Sequence, residues 1–170
     1  SDTVVTTTSG AEISSVSFRN TLAGIATLAN SSISLRDVSL RDVNATAATT
    51  CTVAASRFFG ALTAFTRISV DNVTNSNVTA TSSSAEVKIY SLLFSGAVSG
   101  IPTFADSSLT VVNVVQQLVL RAHGQCIGVA AYFLNTVSQF GIVSIDGVNN
   151  TDINATSTGS SGEVYAVRSA

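Results

Sequence analysis

Residues 68–81 read ISVDNVTNSNVTAT, and the same grammar returns at 33–47, 109–122 and 143–156. Setting the four stretches in register aligns Val38, Val73, Val114 and Val148, and five residues later Val43, Val78, Val119 and Ile153. The first column recurs at intervals of 35, 41 and 34 residues. Just upstream lie Ile33-Ser34-Leu35, Ile68-Ser69-Val70, Leu109-Thr110-Val111 and Val143-Ser144-Ile145, a period-2 alternation that puts the apolar members on one face of a strand. One position before each valine stands Asp37, Asn72, Asn113 or Gly147, the residue types that tolerate a left-handed backbone and turn a chain. Repeats of this length, with β-branched strands and asparagine-type corners, predict coils stacked into a solenoid.

Working outward, 12–18 opens a coil with a further strand that recurs at 52–58, 86–92, 126–132 and 163–169. Each full coil then has a variable connection, 19–32 or 95–108 for example, before the Ile68-type strand and the Val78-type strand. The expected fold is all-β: a right-handed parallel β-helix of about four coils, three strands per coil. Gly96, Gly100 and Pro102 lie in the variable connections, where loops gather on one side of a solenoid. Residues 3–8 read as the closing strand of a coil and 163–169 as an opening one, so both ends carry incomplete coils. No linker interrupts the repeat, and residues 1–170 form one expected domain.

The 170 residues are 45% hydrophobic and 11% charged, without Trp or Met, as suits a domain built from small strand formers. A net charge of −2, with the basic residues scattered singly, offers no stripe for nucleic acid or an anionic membrane. No apolar run reaches membrane-spanning length, and the first ten residues lack a signal-peptide pattern, so the reading is of a mature chain. Cys51 and Cys126 fall two rungs apart, about 9 to 10 Å at strand spacing, beyond disulfide reach. They are expected as buried free thiols, with an intermolecular bond as the alternative.

Six sequons begin at Asn30, Asn44, Asn72, Asn77, Asn149 and Asn154, which makes N-linked glycans expected partners, foremost at Asn77 and Asn154. Asn, Ser and Thr also simply suit corners and outward strand positions. The third coil carries none of these sequons. There Val112, Val115, Leu118 and Leu120 occupy columns held elsewhere by polar residues, an outer apolar face to be covered by the 95–108 connection or used as a lateral subunit contact.

Catalytic constellations are scarce. His123 stands alone in a corner, and no phosphate loop, metal-ligand cluster or nucleophile elbow occurs, so no catalytic residue, metal or cofactor is expected. Asp37, Asp42, Asp71, Asp146 and Asp152 line up as an outer carboxylate row. A solenoid lyase or hydrolase would need a basic partner there, Arg36 or Arg67 beside Asp71.

The valine columns, the Asp37/Asn72/Asn113 corners and the opening-strand repeats resemble the right-handed parallel β-helix of the pectin-lyase-like superfold. SLRDVNATA and ISVDNVTNSNVTATSS are similar to the serine-, valine- and asparagine-rich coils of kinetoplastid dispersed-gene-family surface glycoproteins. That resemblance implies an extracellular or cell-surface glycoprotein and supplies no active-site residues. The expected function is structural or adhesive, as the subunit of a head-to-tail homo-oligomeric filament. Thr3, Val4, Val5 and Thr6 of one copy would meet Glu163, Val164, Tyr165 and Val167 of the next, because neither end shows a cap, a proline or a lysine guard. Three alternatives stand beside it: a carbohydrate-active β-helix enzyme, an ice-type threonine-ladder binder, and a β-sandwich pilus-like subunit assembled by donated strand.

Overall fold

The computed structural model describes residues 3–24, 31–101, 106–159 and 162–169. The chain opens with β1 (Thr3–Thr7) and then repeats a three-part unit. The first turn is β2 (Ala11–Phe18), β3 (Leu22–Ala23) and β4 (Ser32–Ala47); the second is β5 (Cys51–Phe58), β6 (Leu62–Thr63) and β7 (Arg67–Ser82). The third turn is β8 (Val87–Phe94), β9 (Val98–Ser99) and β10 (Ser108–Ala122). The fourth is β11 (Cys126–Phe133), β12 (Val137–Ser138), β13 (Ile142–Asp146) and β14 (Asn149–Ser157), after which β15 (Gly162–Ser169) begins another. Equivalent strands pair in parallel into three sheets: β1-β4-β7-β10-β13 with β14 also on β10, then β2-β5-β8-β11-β15, then β3-β6-β9-β12. The molecule is a parallel β-solenoid of about four turns. The β-sandwich alternative fails here, because Val38 pairs with Val73 and Val73 with Val114 in parallel register.

The three strands of a turn are not divided as expected. In the first three turns the Ile68-type and Val78-type strands are one continuous strand bent at left-handed residues, in the fourth they part at Gly147, and the third sheet lies within the variable connections. The first corner is Asp37, Asn72, Asn113 and Gly147, with φ of 54°, 55°, 54° and 60°; the second is Asp42, Asn77 and Asp152, at 52°, 52° and 49°. Side-chain cost is least for Gly, Asn and Asp at such φ, which is why these residue types recur there. Each corner also resets the alternation. In β7, Ile68 and Val70 are buried, Asp71 and Asn72 are not, Val73 and Asn75 are buried, Ser76 and Asn77 are not, and Val78 and Ala80 are buried again. Two successive outward residues per corner turn a period of two into the five-residue spacing of the columns.

The third turn corrects two expectations. Gln117 holds the second corner place but is absent from the left-handed residues, and the register shifts by one between Gln116 and Leu118. Leu118 therefore pairs with Val78 and Leu120 with Ala80, so the column runs through Leu118 rather than Val119. Leu118 and Leu120 are buried core residues, not an outer apolar face. Of that face Val112 and Val115 remain, joined by Val119, each half-buried on the outside of β10.

The opening strand is corrected as well. Thr52 aligns with Lys88 and Lys88 with Ile127, rather than with Glu86 and Cys126, so the third and fourth strands end on Phe94 and Phe133. This register builds a ladder of rings, Phe18, Phe58, Phe94 and Phe133, stacked at centroid separations of 4.8, 4.9 and 5.0 Å. The repeat distance of a parallel sheet is about 4.8 Å, so ring stacking costs the ladder no distortion.

Cys51 and Cys126 both pair with Val87, one rung on either side, so they are not bonded to each other, as the spacing predicts, and both are free and buried. Burial pushes the Cys51 thiol up from 9.0 to about 11, and it raises Cys126 too. The Cys126 thiol donates to the Thr156 carbonyl at 3.2 Å. Folded protein at about pH 8 is expected to resist iodoacetamide at both positions and to react at both in urea, as peptide mass spectrometry will show. The folded state keeps the Cys51 proton where the unfolded chain releases it. The stability this contributes is complete below pH 9 and is lost as pH rises towards 11.

Candidate functional site

The outer corners form hydrogen-bonded ladders. Asn72 Nδ2 donates to Asp37 Oδ1 at 2.6 Å, Asn77 Nδ2 to Asp42 Oδ1 at 2.8 Å, Asn113 Nδ2 to Asp71 Oδ1 at 3.0 Å, and Gln117 Nε2 to Asp152 Oδ2 at 3.2 Å. Asp146 Oδ1 accepts from the Gly147 amide at 2.8 Å. The whole carboxylate row is thus used in turning the chain. Arg36 and Asp71 are register neighbours, while Arg67 sits between Ser32 and Ser108. Two sequon amides, Asn72 and Asn77, take part in these ladders. Asn44, Asn149 and Asn154 are exposed, and Asn30 lies outside the described residues.

A second polar column runs inside. Leu40, Asn75, Gln116 and Asn150 occupy one inward position on successive rungs. Opposite them, pairing in the second sheet skips Ser15, Ala55, Ser91 and Ala130. Carbonyls freed by that interruption are met across the interior: Asn75 Nδ2 donates to Tyr90 O at 2.7 Å, and Gln116 Nε2 to Val129 O. Going the other way, Ser15 Oγ donates to Ser39 O at 3.1 Å and Ser91 Oγ to Val115 O at 3.0 Å. These spokes tie the two long sheets, and those from Asn75, Ser91 and Gln116 satisfy backbone groups that burial would otherwise penalise. Sequence reasoning missed them, although a polar residue two places after Val73, Val114 and Val148 was the available signal.

The strands at the two ends take the expected places. β1 pairs with 43–47, the closing segment of β4, and β15 pairs with β11 as an opening strand. The side chains of Thr3, Val4 and Val5 lie outside the described residues, and Thr6 is exposed. At the other end the core columns come to the surface. Val143 and Ile145 are 53% and 38% exposed, and Val164 and Val167 are 41% and 40% exposed, although their partners one rung earlier, Leu109, Val111, Gly128 and Ala131, are buried. Glu163 forms an ion pair with Arg168 at 2.8 Å, and that guanidinium also lies 5.0 Å from the Tyr165 ring.

The outer face of the second sheet is neither polar nor flat. Ala54, Tyr90, Leu93, Ile127 and Val129 pack into a small second core beneath Tyr132, with the Tyr90 and Tyr132 rings 5.6 Å apart. Burial pushes the Tyr90 hydroxyl up to about 12, with Tyr132 adding to the rise. A cavity of about 270 Å³ opens on this face, and its cationic lining is Arg57, Lys88 and Arg168. Arg57 pairs through Nη1 with Glu12 and lies 3.7 Å above the Phe59 ring; Lys88 pairs with Glu86 at 2.5 Å. A shallower depression lies beside Arg121 and His123, where the exposed imidazole Nδ1 is 3.0 Å from Thr158 Oγ1.

Among the described residues no cluster of three or more His, Cys, Asp or Glu could hold a metal, and no helix is long and apolar enough to cross a membrane. No family model matches the chain, and no curated protein or solved structure matches it.

Proposed function

We propose that this chain is a structural solenoid of the extracellular space or cell surface that stacks end to end, the β1–β2 end of one copy laid on the β14–β15 end of the next. The exposure of the core columns on the last described turn carries this reading. Val164 and Val167 continue columns that are buried on the second to fourth turns, at Val53, Ile89 and Gly128 and at Ser56, Leu92 and Ala131, and each side chain of this kind gains roughly 1.5–3 kcal/mol on full burial. Among the described residues no strand pairs with the outer edge of β15 or of β2, and another parallel strand would satisfy the donors and acceptors of each. A head-to-tail contact of this type does not close on itself and grows a filament. The exposed sequons at Asn44 and Asn154, and the likeness to kinetoplastid surface glycoproteins, support a secreted, glycosylated protein.

The test is sedimentation velocity and electron microscopy on the full chain over a wide concentration range. Unbranched stacks are expected to lengthen with concentration, and the double variant Val164→Asp/Val167→Asp is expected to stay monomeric with an unchanged β-sheet circular dichroism spectrum. A wild-type chain that remains monomeric at the highest concentration overturns the reading.

A further inference from the structure

We infer that the cavity on the outer face of the second sheet binds a small organic carboxylate with a flat apolar body. Charge is the first reason. Arg57, Lys88 and Arg168 line the cavity and no carboxylate does, the paired glutamates lying outside the lining.

Unspent hydrogen-bonding capacity is the second reason. Arg57 Nε and Ser95 Oγ are both buried without a partner among the described residues, and both residues line the cavity. A buried polar group left unpaired costs free energy that a ligand can return. Arg57 is also fixed in place, by Glu12 on Nη1 and by the Phe59 ring beneath its guanidinium. The Nε side of a guanidinium is the edge that takes a carboxylate in a two-point fork, and an Arg57 already held by Glu12 and Phe59 loses little side-chain freedom in forming one.

The remaining lining decides the body of the ligand. Tyr90, Leu93, Ile127 and Tyr132 make an apolar floor that suits the face of a ring and gives a fully hydrated inorganic anion nothing in exchange for its water. The volume, about 270 Å³, corresponds to several liquid waters at about 30 Å³ each, enough for one substituted ring and too little for a polymer segment.

Benzoate is the probe, with benzamide as its neutral isostere and inorganic phosphate as the anion without a body. Saturation-transfer NMR and titration of the tyrosine signals of the full chain give the affinities, and a urea midpoint confirms folding of each variant. Expected is saturable benzoate binding, at least about tenfold weaker binding of benzamide and of phosphate, and a loss of about tenfold in Arg57→Lys, which keeps the charge and removes the fork. Ser95→Ala is expected to weaken benzoate severalfold and serves if Arg57→Lys does not fold. Benzamide or phosphate binding as well as benzoate, absence of saturation, or unchanged affinity in both variants overturns the proposal.

Discussion

Val73→Asp is expected to abolish folding. Val73 is fully buried, paired on one side with Val38 and on the other with Val114, in a column that contains no cation. An aspartate there either holds an unpaired charge in the core or takes up a proton, and both cost several kcal/mol. A domain has on the order of 5–15 kcal/mol of stability in total. Solenoid turns are held by their neighbours, so a failed second turn also separates the first from the third. Thr74→Asp is the control: Thr74 is adjacent in sequence, points outward and is half-buried, so the variant is expected to melt within a few degrees of the parent chain. Circular dichroism and urea titration decide the matter. A cooperative, soluble Val73→Asp protein would show that the column does not face inward.

Phe58→Ala carries the second largest expected effect, a loss of about 3–5 kcal/mol. The Phe58 ring is sandwiched at 4.8 Å from Phe18 and 4.9 Å from Phe94, and it is 2% exposed. Truncation removes both stacking contacts and leaves a ring-sized void between rungs that cannot close, because the backbone ladder fixes their spacing. Phe18→Ala serves as the comparison. Phe18 stacks on one side among the described rings and is half-buried, so its loss should be markedly smaller. Equal urea midpoints for the two variants would show that the ladder does not act as a continuous stack.

Local chemistry made much of this architecture legible in the sequence. β-branched residues at period two, interrupted by Asp, Asn or Gly at fixed intervals, state a bent strand directly, because only those residue types take φ near +55° at low cost. That the two cysteines are not bonded to each other followed from the same spacing. Where neighbouring residues were equally apolar, the sequence was silent. Leu118 and Val119 are interchangeable as strand formers, and the backbone at Gln117, which does not enter the left-handed region, decides which of them faces the core. In the opening strands the choice between Glu86 and Lys88 was settled by rings on different turns coming into stack.

The interior spokes and the outer cavity belonged wholly to tertiary structure. Asn75 and Tyr90 meet across the coil from different sheets, and Arg57, Ser95 and Arg168 reach one cavity from three different turns. Repetition along the chain reports which residues share a column. Which columns face one another, and what they leave unpaired between them, depends on how far each corner bends the chain. That is set by packing between rungs rather than by any one repeat.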